Sequence, residues 1–505
     1  MEGEVAGVAA TKIILSVLVG GFLVLFFYLC ELVFFRPKRL RSKLQKQGIR
    51  GSPPSFLLGN LPAIKSLIKS KSQSTATETV YHDGVDVAAY ISHEWPSKTW
   101  NPSMTSKVLG PLLGKGLVSS NGSKWAHQRR VIAPELCLDK VEGMVHMMVE
   151  STTSMLRTWE SKIESHGGIA EIGVDEYLSN LAADIISRAC FQRNYHQGEE
   201  IFLKLRTLRN LLCKELMTGI PGLRETWRLE KEINSMILKV VKQRVEAAYE
   251  KDLVQMILEG AKNSADNSAL LHKNFIVDNC KTLFFAGHDT TALATSWALT
   301  LLAAHPDWQA RACAEVLEIC RDKPLDADML RSMKVLKMVI HEVLCLYLLG
   351  PFAARDAFET ITLKNTVIPK GCNPDIWGPD AHKFNPERFS NGILKACQPP
   401  QAHMPFGMGA NICAGQHLAM TELKVILALS LSKFCFSLSP AYQHSPVYNL
   451  ATAPEHGILL HVKRVTRFTH YSDALPWMQG PTISLKGHHV APPTAVTVIV
   501  RRPKF

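Results

Sequence analysis

Residues 405–424 read PFGMGANICAGQHLAMTELK, and this stretch decides the fold that the sequence predicts. Gly407 and Gly409 allow backbone conformations that a side chain would forbid, so a loop built on them can approach a flat ligand closely. Cys413 follows this turn, and an apolar helical pattern begins after Gly415. A cysteine at a helix N-terminus has its thiolate stabilised by the helix dipole and by free N–H groups. The stretch therefore predicts a stabilised thiolate beside a tight turn.

Other interpretations compete for the same residues. A buried cysteine beside an ordinary turn would use the same residue types. A dinucleotide-binding loop would also contain Gly407 and Gly409, but Ile412 occupies the place of its third glycine, which excludes it. The chain has twelve cysteines and no C-x-x-C pair, so a structural zinc site is not predicted either.

A second informative stretch lies in a helix predicted at residues 274–304. This helix is apolar around most of its circumference, which is typical of a buried helix. Within it stands AGHDTT, at residues 286–291, and polar side chains in a core helix are costly unless they have a role. Ala286 and Gly287 leave room against the helix face, and Thr290 can bond a preceding carbonyl and open the helix locally. The alternative is an ordinary helix with two threonines.

Together these stretches resemble the cytochrome P450 superfamily, whose pattern F-x-x-G-x-R-x-C-x-G is matched by Phe406, Gly409, Cys413 and Gly415. The resemblance implies a cytochrome P450 fold and bound haem b (iron protoporphyrin IX), with Cys413 as axial ligand of the iron. A thiolate ligand favours cleavage of the O–O bond. The residues of AGHDTT match the motif A-G-x-D-T, which implies that Thr290 steadies bound oxygen and that Asp289 helps to relay protons.

Five further residues match the family's supporting positions. By resemblance, Trp125 and Arg129 match a W-x-x-x-R at the haem edge, and Arg355 matches a strand arginine that reaches a haem propionate. Glu342 and Arg388 match two members of a buried glutamate–arginine core.

The sequence departs from the family pattern at two arginines. Cys345 stands where the core has its second arginine, and Asn411 stands where an arginine normally pairs with a propionate. A charge-assisted contact is stronger than a neutral one, and removing one partner from a buried network can cost about 3–5 kcal/mol. We therefore expect Glu342 to have an incomplete set of partners.

The N-terminus predicts a membrane anchor. Residues 13–30 are uncharged and strongly apolar, and residues 32–35 extend the run past Glu31, which gives a span at residues 13–35. A cleaved signal peptide is the alternative, but its apolar region would be shorter and would end in small residues. Six basic residues crowd positions 36–46, so the positive-inside rule places residues 1–12 in the lumen and the rest in the cytosol.

The remaining chain predicts one large, mostly α-helical domain with small β-sheets. A basic and proline-rich hinge at residues 36–62 leads to the catalytic domain at 63–465, where parts of the sheet region are shortened, and residues 466–505 form an atypical tail. Helices are predicted at residues 139–163, 174–191, 198–216, 230–259, 274–304, 306–320, 329–347 and 416–435. Strands are predicted at 360–368 and 457–465.

The resemblance implies a monooxygenase of the endoplasmic reticulum membrane. Such an enzyme inserts one oxygen atom from O2 into an apolar small molecule and receives electrons from NADPH through a membrane-bound reductase. The segments FIVDNCK (residues 275–281), FAGHDTT (285–291) and NPERFSNG (385–392) most resemble the plant clan that oxidises gibberellins, brassinosteroids and cytokinins, and within it the gibberellin-oxidising subgroup. A net charge of +12 suits an anionic lipid surface or a redox partner, and no nucleic-acid motif is present. A catalytically silent relative that binds haem or ligand is the alternative.

Overall fold

The structure is a computed structural model of the chain. It describes residues 109–191, 195–218, 223–246, 253–262, 269–321, 323–347, 383–397, 403–407 and 409–465, with shorter pieces at 19–24, 26–28, 31, 35, 38–39, 42, 99–100, 349, 356–357 and 380. The chain forms two compact units, Met1–Ser70 and Lys71–Phe505.

Helices dominate the described part of the larger unit. In chain order they are α1 (Gly110–Leu113), α2 (Gly122–Ile132), α3 (Leu138–Gly143), α4 (Val145–Ser165), α5 (Val174–Phe191), α6 (Tyr195–Thr218), α7 (Leu223–Glu246), α8 (Leu253–Lys262), α9 (Ala269–Ala304), α10 (Pro306–Cys320), α11 (Ala327–Ser332), α12 (Lys334–Leu346), α13 (Ile393–Ala396) and α14 (Gln416–Lys433). Short 3₁₀ turns lie at Ala133–Leu136, Pro386–Phe389 and Gly409–Asn411.

The described strands are short and form small antiparallel sheets. They are β1 (Thr99–Trp100), β2 (Ile169–Gly173), β3 (Asp356–Ala357), β4 (Phe434–Leu438), β5 (Pro446–Asn449), β6 (Ala451–Pro454) and β7 (Leu459–Arg464). The sheets have the orders β1-β3, β2-β7-β4 and β5-β6. In the central sheet, Ile172 pairs with Leu460 and Phe436 pairs with Val462.

Helix α9 is the axis of the domain. Its 36 residues span about 54 Å at 1.5 Å per residue. Helices α5, α8, α14 and α1 pack around it, so its apolar circumference is buried as the sequence predicts. Trp297 and Phe284, both on α9, are almost completely inaccessible to solvent.

A side chain of the neighbouring helix α10 holds the first turn of α12, the helix that carries Glu342. The carboxylate of Glu315, on α10, accepts the backbone N–H groups of Lys334, Val335 and Leu336 at 2.6, 2.8 and 2.9 Å. The first N–H groups of a helix have no partner within it, and an acidic group there is stabilised by the helix dipole. The Glu315 carboxylate therefore caps α12 and ties its first turn to α10.

The mostly helical prediction is confirmed, with differences at several boundaries. The predicted helices at 174–191 and 306–320 have the observed bounds. The helix predicted at 139–163 is two helices that meet at Met144, and the one predicted at 329–347 is interrupted at Met333. The strand at 457–465 corresponds to β7, whereas β2 and β4–β6 were not predicted. These missed strands have four or five residues, too few for a clear alternation.

Several predictions fall outside the described residues: the strand at 360–368, the tail at 466–505, Arg355, and most of the hinge at 36–62. The predicted anchor at 13–35 is described in part. Residues 19–24 and 26–28 are helical and exposed. Among the residues described, we find no helix that is both long and apolar enough to span a membrane.

Candidate functional site

Backbone hydrogen bonds close the glycine-rich loop before α14. The N–H of Gly407 donates to the carbonyl of Met404 at 3.1 Å, and the N–H of Cys413 donates to the carbonyl of Phe406 at 2.8 Å. Gly407 and Gly409 have φ angles of +73° and +65°, in the left-handed region that favours glycine. The two glycines therefore have the backbone role that the sequence predicts, and the loop holds Cys413 two residues before the N-cap Gly415.

The Cys413 side chain is exposed, yet protein surrounds it on most sides. Burial raises the pKa of the Cys413 thiol, whereas the backbone N–H of Gly415 and the Arg129 guanidinium lower it. The sequence predicts a stabilised thiolate. In the polypeptide alone, desolvation outweighs the two stabilising contacts, so the pKa of the thiol is raised.

Helix α2 brings a cation to this loop. Arg129 donates from Nη1 to the carbonyl oxygen of Ile412 at 2.6 Å, directly before Cys413. Burial lowers the pKa of Arg129, and the charge of Cys413 raises it. Trp125, one turn earlier on α2, is half-buried against the core. Asn411 ends the 3₁₀ turn and is exposed.

The AGHDTT segment lies in the middle of α9. The Thr290 hydroxyl donates to the carbonyl of Ala286 at 2.6 Å, the i−4 bond that the sequence predicts for this residue. Ala286, Thr290 and Leu293 are partly exposed, although most of the helix around them is buried. Their spacing of four and three places them on one helix face. This stripe, the groove face, borders a space that solvent reaches.

Gly287 has a different role from the one expected. A Cβ atom at this position would lie 2.7 Å from Cδ1 of Ile186, on α5. Its small size therefore permits close packing of α5 against α9, whereas Ala286 faces the groove.

Asp289 is buried and accepts hydrogen bonds on both carboxylate oxygens. Arg209, on α6, donates from Nη1 to Oδ2 at 2.6 Å, and Nδ1 of His288 lies 3.1 Å from Oδ1. Burial disfavours the charge of Asp289, but His288 and Arg209 together lower the pKa of the carboxyl below its usual value. The structure therefore turns this carboxylate toward α6 and gives it no hydrogen bond to Thr290.

The buried core pair also forms. Nε of Arg388 donates to Oε2 of Glu342 at 2.9 Å, and the backbone N–H of Asn385 donates to Oε1 at 2.9 Å. Both carboxylate oxygens thus have partners, which differs from the incomplete set expected from the loss of an arginine. The charge is not fully compensated, since burial raises the pKa of Glu342 to about 7 although Arg388 lowers it.

Cys345 lies one helix turn after Glu342 and is half-buried. It packs against a small apolar cluster of Phe389, Ala396 and Cys397. It is also close enough to Arg388 for its charge to raise the pKa of that guanidinium. The position of the family's second arginine is therefore filled by a thiol that faces the same cation.

Sequence reasoning missed the partners of Asp289. Arg209 lies 80 residues away along the chain, and the amphipathic pattern of α6 does not separate an inward arginine from its solvated neighbours. His288 had no role assigned, because the A-G-x-D-T pattern leaves its position open. One signal was available: adjacent His and Asp residues are unusual in an apolar helix, and buried polar side chains need hydrogen-bond partners.

Comparison with known proteins places this geometry in a family. The family model for Cytochrome P450 matches residues 68–464. Among the relatives, cytochrome P450 714C2 of Oryza sativa subsp. japonica is 41% identical over 500 residues, covering 87% of this chain and 95% of the relative. Cytochrome P450 714A2 of Arabidopsis thaliana is 37% identical over 488 residues, covering 84% and 93%.

The fold is shared with more distant proteins. The crystal structure of the cytochrome P450DA heme domain superposes with a TM-score of 0.68 at 21% identity, covering 82% of this chain and 97% of that domain. At this identity the likeness concerns the fold alone. The relatives and the matched family model cover most of the chain, and residues 68–464 of the family match include both the cysteine loop and the AGHDTT segment. The chain belongs to the cytochrome P450 family.

Proposed function

We propose that this chain is a haem-thiolate monooxygenase that inserts one oxygen atom from O2 into an apolar small molecule. Its substrate class is a terpenoid hormone such as a gibberellin, by the resemblance of its motifs to that plant clan. Electrons come from NADPH through a reductase on the same membrane. Residues 13–35 anchor the protein in the endoplasmic reticulum, with the catalytic domain in the cytosol.

One observation carries the proposal: an exposed thiol, Cys413, that a hydrogen-bonded glycine-rich loop holds just before the N-terminus of α14. Cys413 is reachable, and the loop around it is fixed by the Phe406 carbonyl and by Arg129. These residues fit haem, because Gly407 and Gly409 keep side chains away from the loop face and Cys413 offers the thiolate. Coordination to a metal ion deprotonates a thiol outright, so bound iron would reverse the raised pKa of Cys413.

The other predicted residues have supporting roles in this proposal. Haem supplies the oxygen chemistry when it is bound, and the protein orients substrate and tunes the iron. Phe406, Gly409 and Gly415 shape the loop, while Trp125, Arg129 and Arg355 hold the haem edge and its propionates. Glu342 and Arg388 brace the core behind the cysteine loop.

On the groove face, Thr290 is the residue available to oxygen. Its hydroxyl hydrogen is directed to the Ala286 carbonyl, so the oxygen lone pairs remain free to accept a hydrogen bond from the groove. Asp289 is the proposed source of protons one residue away.

The test is the reduced, carbon-monoxide-bound difference spectrum of membranes that contain the chain. We expect the thiolate-type band in the parent and its loss in Cys413→Ser, with membrane association unchanged. Cys137→Ser, which removes another exposed cysteine, is the matched control and should retain the band. An unchanged thiolate band in Cys413→Ser would show that Cys413 is not the ligand.

The proposed topology has its own reporter. Asn121 stands in an N-G-S sequon at the start of α2. A cytosolic domain leaves this asparagine unmodified, since N-glycosylation occurs in the lumen. A glycosidase-sensitive mass shift that disappears in Asn121→Gln would reverse the topology.

The second candidate function is a catalytically silent relative that binds haem. Cys345 beside Arg388, and the exposed Asn411, favour it, because both replace arginines that the family pattern contains. Reconstitution with a reductase and NADPH separates the two candidates. A thiolate spectrum with oxygenated gibberellin-class products supports the monooxygenase, whereas a thiolate spectrum without NADPH oxidation across terpenoid substrates supports the silent relative.

A further inference from the structure

Four aromatic side chains form a connected cluster in the core beside α9. The rings of Trp297 and Tyr347 stack in parallel, with centroids 4.1 Å apart and an angle of 6° between their planes. The Tyr347 hydroxyl lies 3.3 Å from Nε2 of His444, and the Tyr442 hydroxyl lies 2.8 Å from Nδ1 of the same ring. We call Trp297, Tyr347, His444 and Tyr442 the aromatic chain.

The aromatic chain runs from the core toward the surface. Trp297 and Tyr347 are 0% and 1% exposed, so solvent does not reach the stacked rings. Tyr442 and His444 are 5% and 7% exposed. Tyr442 nevertheless lies close to the surface, because the residues directly before and after it in the chain are exposed. The aromatic chain therefore leads from helix α9 to the loop between β4 and β5.

The inner end of the aromatic chain lies on the helix that carries the groove face. Trp297 follows Thr290 by seven residues on α9, so both side chains project on one side of the helix, about 10.5 Å apart along its axis. The Nε1–H of Trp297 donates to the carbonyl of Thr452, on β6, at 2.9 Å, which fixes the indole ring. An oxidisable ring is thus held two helix turns from the residue proposed to face oxygen.

The two hydrogen bonds of His444 differ in direction. A neutral imidazole has one N–H donor and one acceptor nitrogen, whereas a tyrosine hydroxyl can donate or accept. The shorter contact, at 2.8 Å, suits an O–H donor, and the longer one, at 3.3 Å, suits an N–H donor. We therefore assign the Tyr442 hydroxyl as donor to Nδ1 and the Nε2–H group as donor to Tyr347. Tyr442 faces a base.

Neither tyrosine ionises readily in these surroundings. Burial raises the pKa of Tyr442. Burial, together with the charge of Tyr442, raises the pKa of Tyr347 well above its ordinary value. Removing an electron from a phenol makes it a strong acid, so a buried tyrosine is oxidised more easily where a base within hydrogen-bond reach takes the proton. Of the two tyrosines, Tyr442 has this base.

We propose that Tyr442 is a redox-active tyrosine with His444 as its proton acceptor, and that the stacked rings of Tyr347 and Trp297 conduct its electron to the groove. In one event the O–H bond of Tyr442 breaks. Its electron passes to the groove, its proton moves to Nδ1 of His444, and a neutral phenoxyl radical remains beside an imidazolium. The inference rests on the proposed function and adds to it a protective reaction against peroxide.

That reaction is the reduction of hydrogen peroxide to water. Hydrogen peroxide that reacts at the haem site takes up two electrons and two protons and gives two water molecules. Tyr442 supplies the electrons one at a time, and solvent supplies the protons. After each event a small one-electron reductant of the ascorbate class is oxidised and reduces the radical, while the proton returns from His444 to the phenolic oxygen. The position of Tyr442 near the surface suits this exchange, whereas Trp297 is closed to solvent.

A cluster that serves only for packing would make the same contacts, so the test measures the radical itself. The variants are Tyr442→Phe, which removes one hydroxyl, and His444→Gln, which keeps a hydrogen-bonding group but cannot take up the proton. The matched control is Tyr177→Phe, because the Tyr177 ring also lies beside a buried tryptophan, Trp159, at 6.0 Å. Each holoenzyme is checked first for its carbon-monoxide difference spectrum. Absence of the thiolate band in the parent overturns the proposed function, and this inference with it.

The first readout is the electron paramagnetic resonance spectrum of holoenzyme that is frozen rapidly after mixing with hydrogen peroxide. We expect a tyrosyl radical in the parent and in Tyr177→Phe, and at least threefold less of it in Tyr442→Phe and in His444→Gln. Ring-deuterated tyrosine narrows the signal and identifies it as tyrosyl. A parent that has the thiolate band but no tyrosyl radical overturns this inference alone. The parent's amount of radical in either variant also overturns it.

A solvent isotope measurement keeps the proton step testable if His444→Gln does not bind haem. In the parent, the radical should form at least twofold more slowly in deuterium oxide, because the O–H bond of Tyr442 breaks in the same event. Equal rates in the two solvents show that no proton moves with the electron and overturn the role of His444.

The second readout is the haem that survives hydrogen peroxide in the presence of ascorbate, without substrate or reductase. We expect haem bleaching to be at least threefold faster in Tyr442→Phe than in the parent, with Tyr177→Phe equal to the parent. Without ascorbate this difference should disappear once each Tyr442 has been oxidised, because the radical is not reduced again. Equal bleaching rates of the parent and Tyr442→Phe with ascorbate overturn the protective reaction.

Discussion

Two buried carboxylates of this domain each face an arginine, yet their pKa values shift in opposite directions. Arg209 donates to Asp289 at 2.6 Å, and Arg388 donates to Glu342 at 2.9 Å. Burial disfavours both charges. The pKa of Asp289 is nevertheless lowered by its partners, whereas burial raises the pKa of Glu342 to about 7.

The second donor explains the difference. Asp289 receives the side chain of His288, and Arg209 has no other carboxylate among its hydrogen-bond partners in the described residues. Glu342 receives a backbone N–H on its second oxygen, and Arg388 also faces Asp380 at 3.5 Å. Hydrogen-bond satisfaction and charge compensation are thus separate requirements. One shared guanidinium satisfies Glu342 geometrically but does not offset its desolvation.

Breaking the ion pair between Arg388 and Glu342 should have the largest effect on stability. Arg388→Ala leaves Glu342 buried without a cation, and removing one partner of a buried pair costs about 3–5 kcal/mol. We expect the free energy of unfolding to fall by that amount and the pKa of Glu342 to rise further. The measurement is denaturant unfolding of the holoenzyme.

Arg311→Ala is the control for this change. Arg311 pairs with Glu387 at 2.9 Å, but both side chains are about half exposed, and such pairs are worth about 0–1 kcal/mol. If Arg388→Ala lost no more stability than Arg311→Ala, the ion pair would not be a structural support. Arg388→Lys keeps the charge without the planar fork and should fall between the two.

A buried carboxyl that faces no cation extends the comparison. The carboxyl of Glu422, on α14, forms a hydrogen bond with the Thr291 side chain. Its Oε1 atom has no hydrogen-bond partner among the described residues. Burial raises the pKa of Glu422 to about 8. Because the folded-state pKa is above the ordinary value, the group stabilises the fold at low pH, and this contribution is lost as the pH rises through 8.

Glu422→Gln should remove that pH dependence. We expect the parent to lose on the order of 3–4 kcal/mol between pH 5 and pH 8 through this group, and the variant to be correspondingly more stable at pH 8. Melting temperatures of both proteins across this range are the measurement, with the exposed Glu176→Gln as control. Parallel curves for Glu422→Gln and the parent would mean that Glu422 does not titrate in this range.

The sequence predicted the helices of this site better than their contacts. Apolar periodicity located α5, α9 and α14, because a long buried face repeats over many turns. The positive φ angles of Gly407 and Gly409 were also predictable, since only glycine adopts them freely. The pairing of Asp289 with Arg209 could not be predicted, because it depends on how α6 packs across α9. No local sequence pattern specifies how two helices cross.

The core pair shows the same limit. The resemblance suggested that Glu342 and Arg388 meet, and it also suggested that the missing arginine leaves Glu342 short of partners. The structure gives Glu342 a backbone donor from Asn385 instead. Backbone groups carry no sequence signature, so this compensation was invisible in the sequence.

Supplying the missing cation should lower the pKa of Glu342, so that this carboxyl behaves more like Asp289. Cys345→Arg places a second guanidinium one helix turn from Glu342, which lowers the pKa of its carboxyl and stabilises the fold above about pH 5, where the parent loses stability through this group. We expect a gain on the order of 1–2 kcal/mol at pH 7, since both Glu342 oxygens already have partners and the gain is one of charge. Melting temperature against pH is the measurement.

Asn411→Arg tests the same substitution pattern at the cysteine loop. Asn411 is exposed, so its replacement should leave stability unchanged, whereas the added cation should raise haem content per protein. The double variant with Cys345→Arg should exceed either single change in haem content. Equal haem content in the parent and the double variant would show that neither arginine limits haem binding.

The smallest effect is expected at Arg206, on α6, which reaches Asp289 only through Ser179 and His288. Arg206→Gln removes one donor from Ser179, but Ser179 keeps its own hydrogen for His288, and both Asp289 oxygens keep their partners. Because no buried group loses its only partner, the loss should be about 0.5–1.5 kcal/mol, the contribution of a single hydrogen bond. Denaturant unfolding measures it, beside Arg209→Gln as the larger change. If Arg206→Gln cost as much as Arg209→Gln, the two arginines would act as one unit rather than as two independent donors.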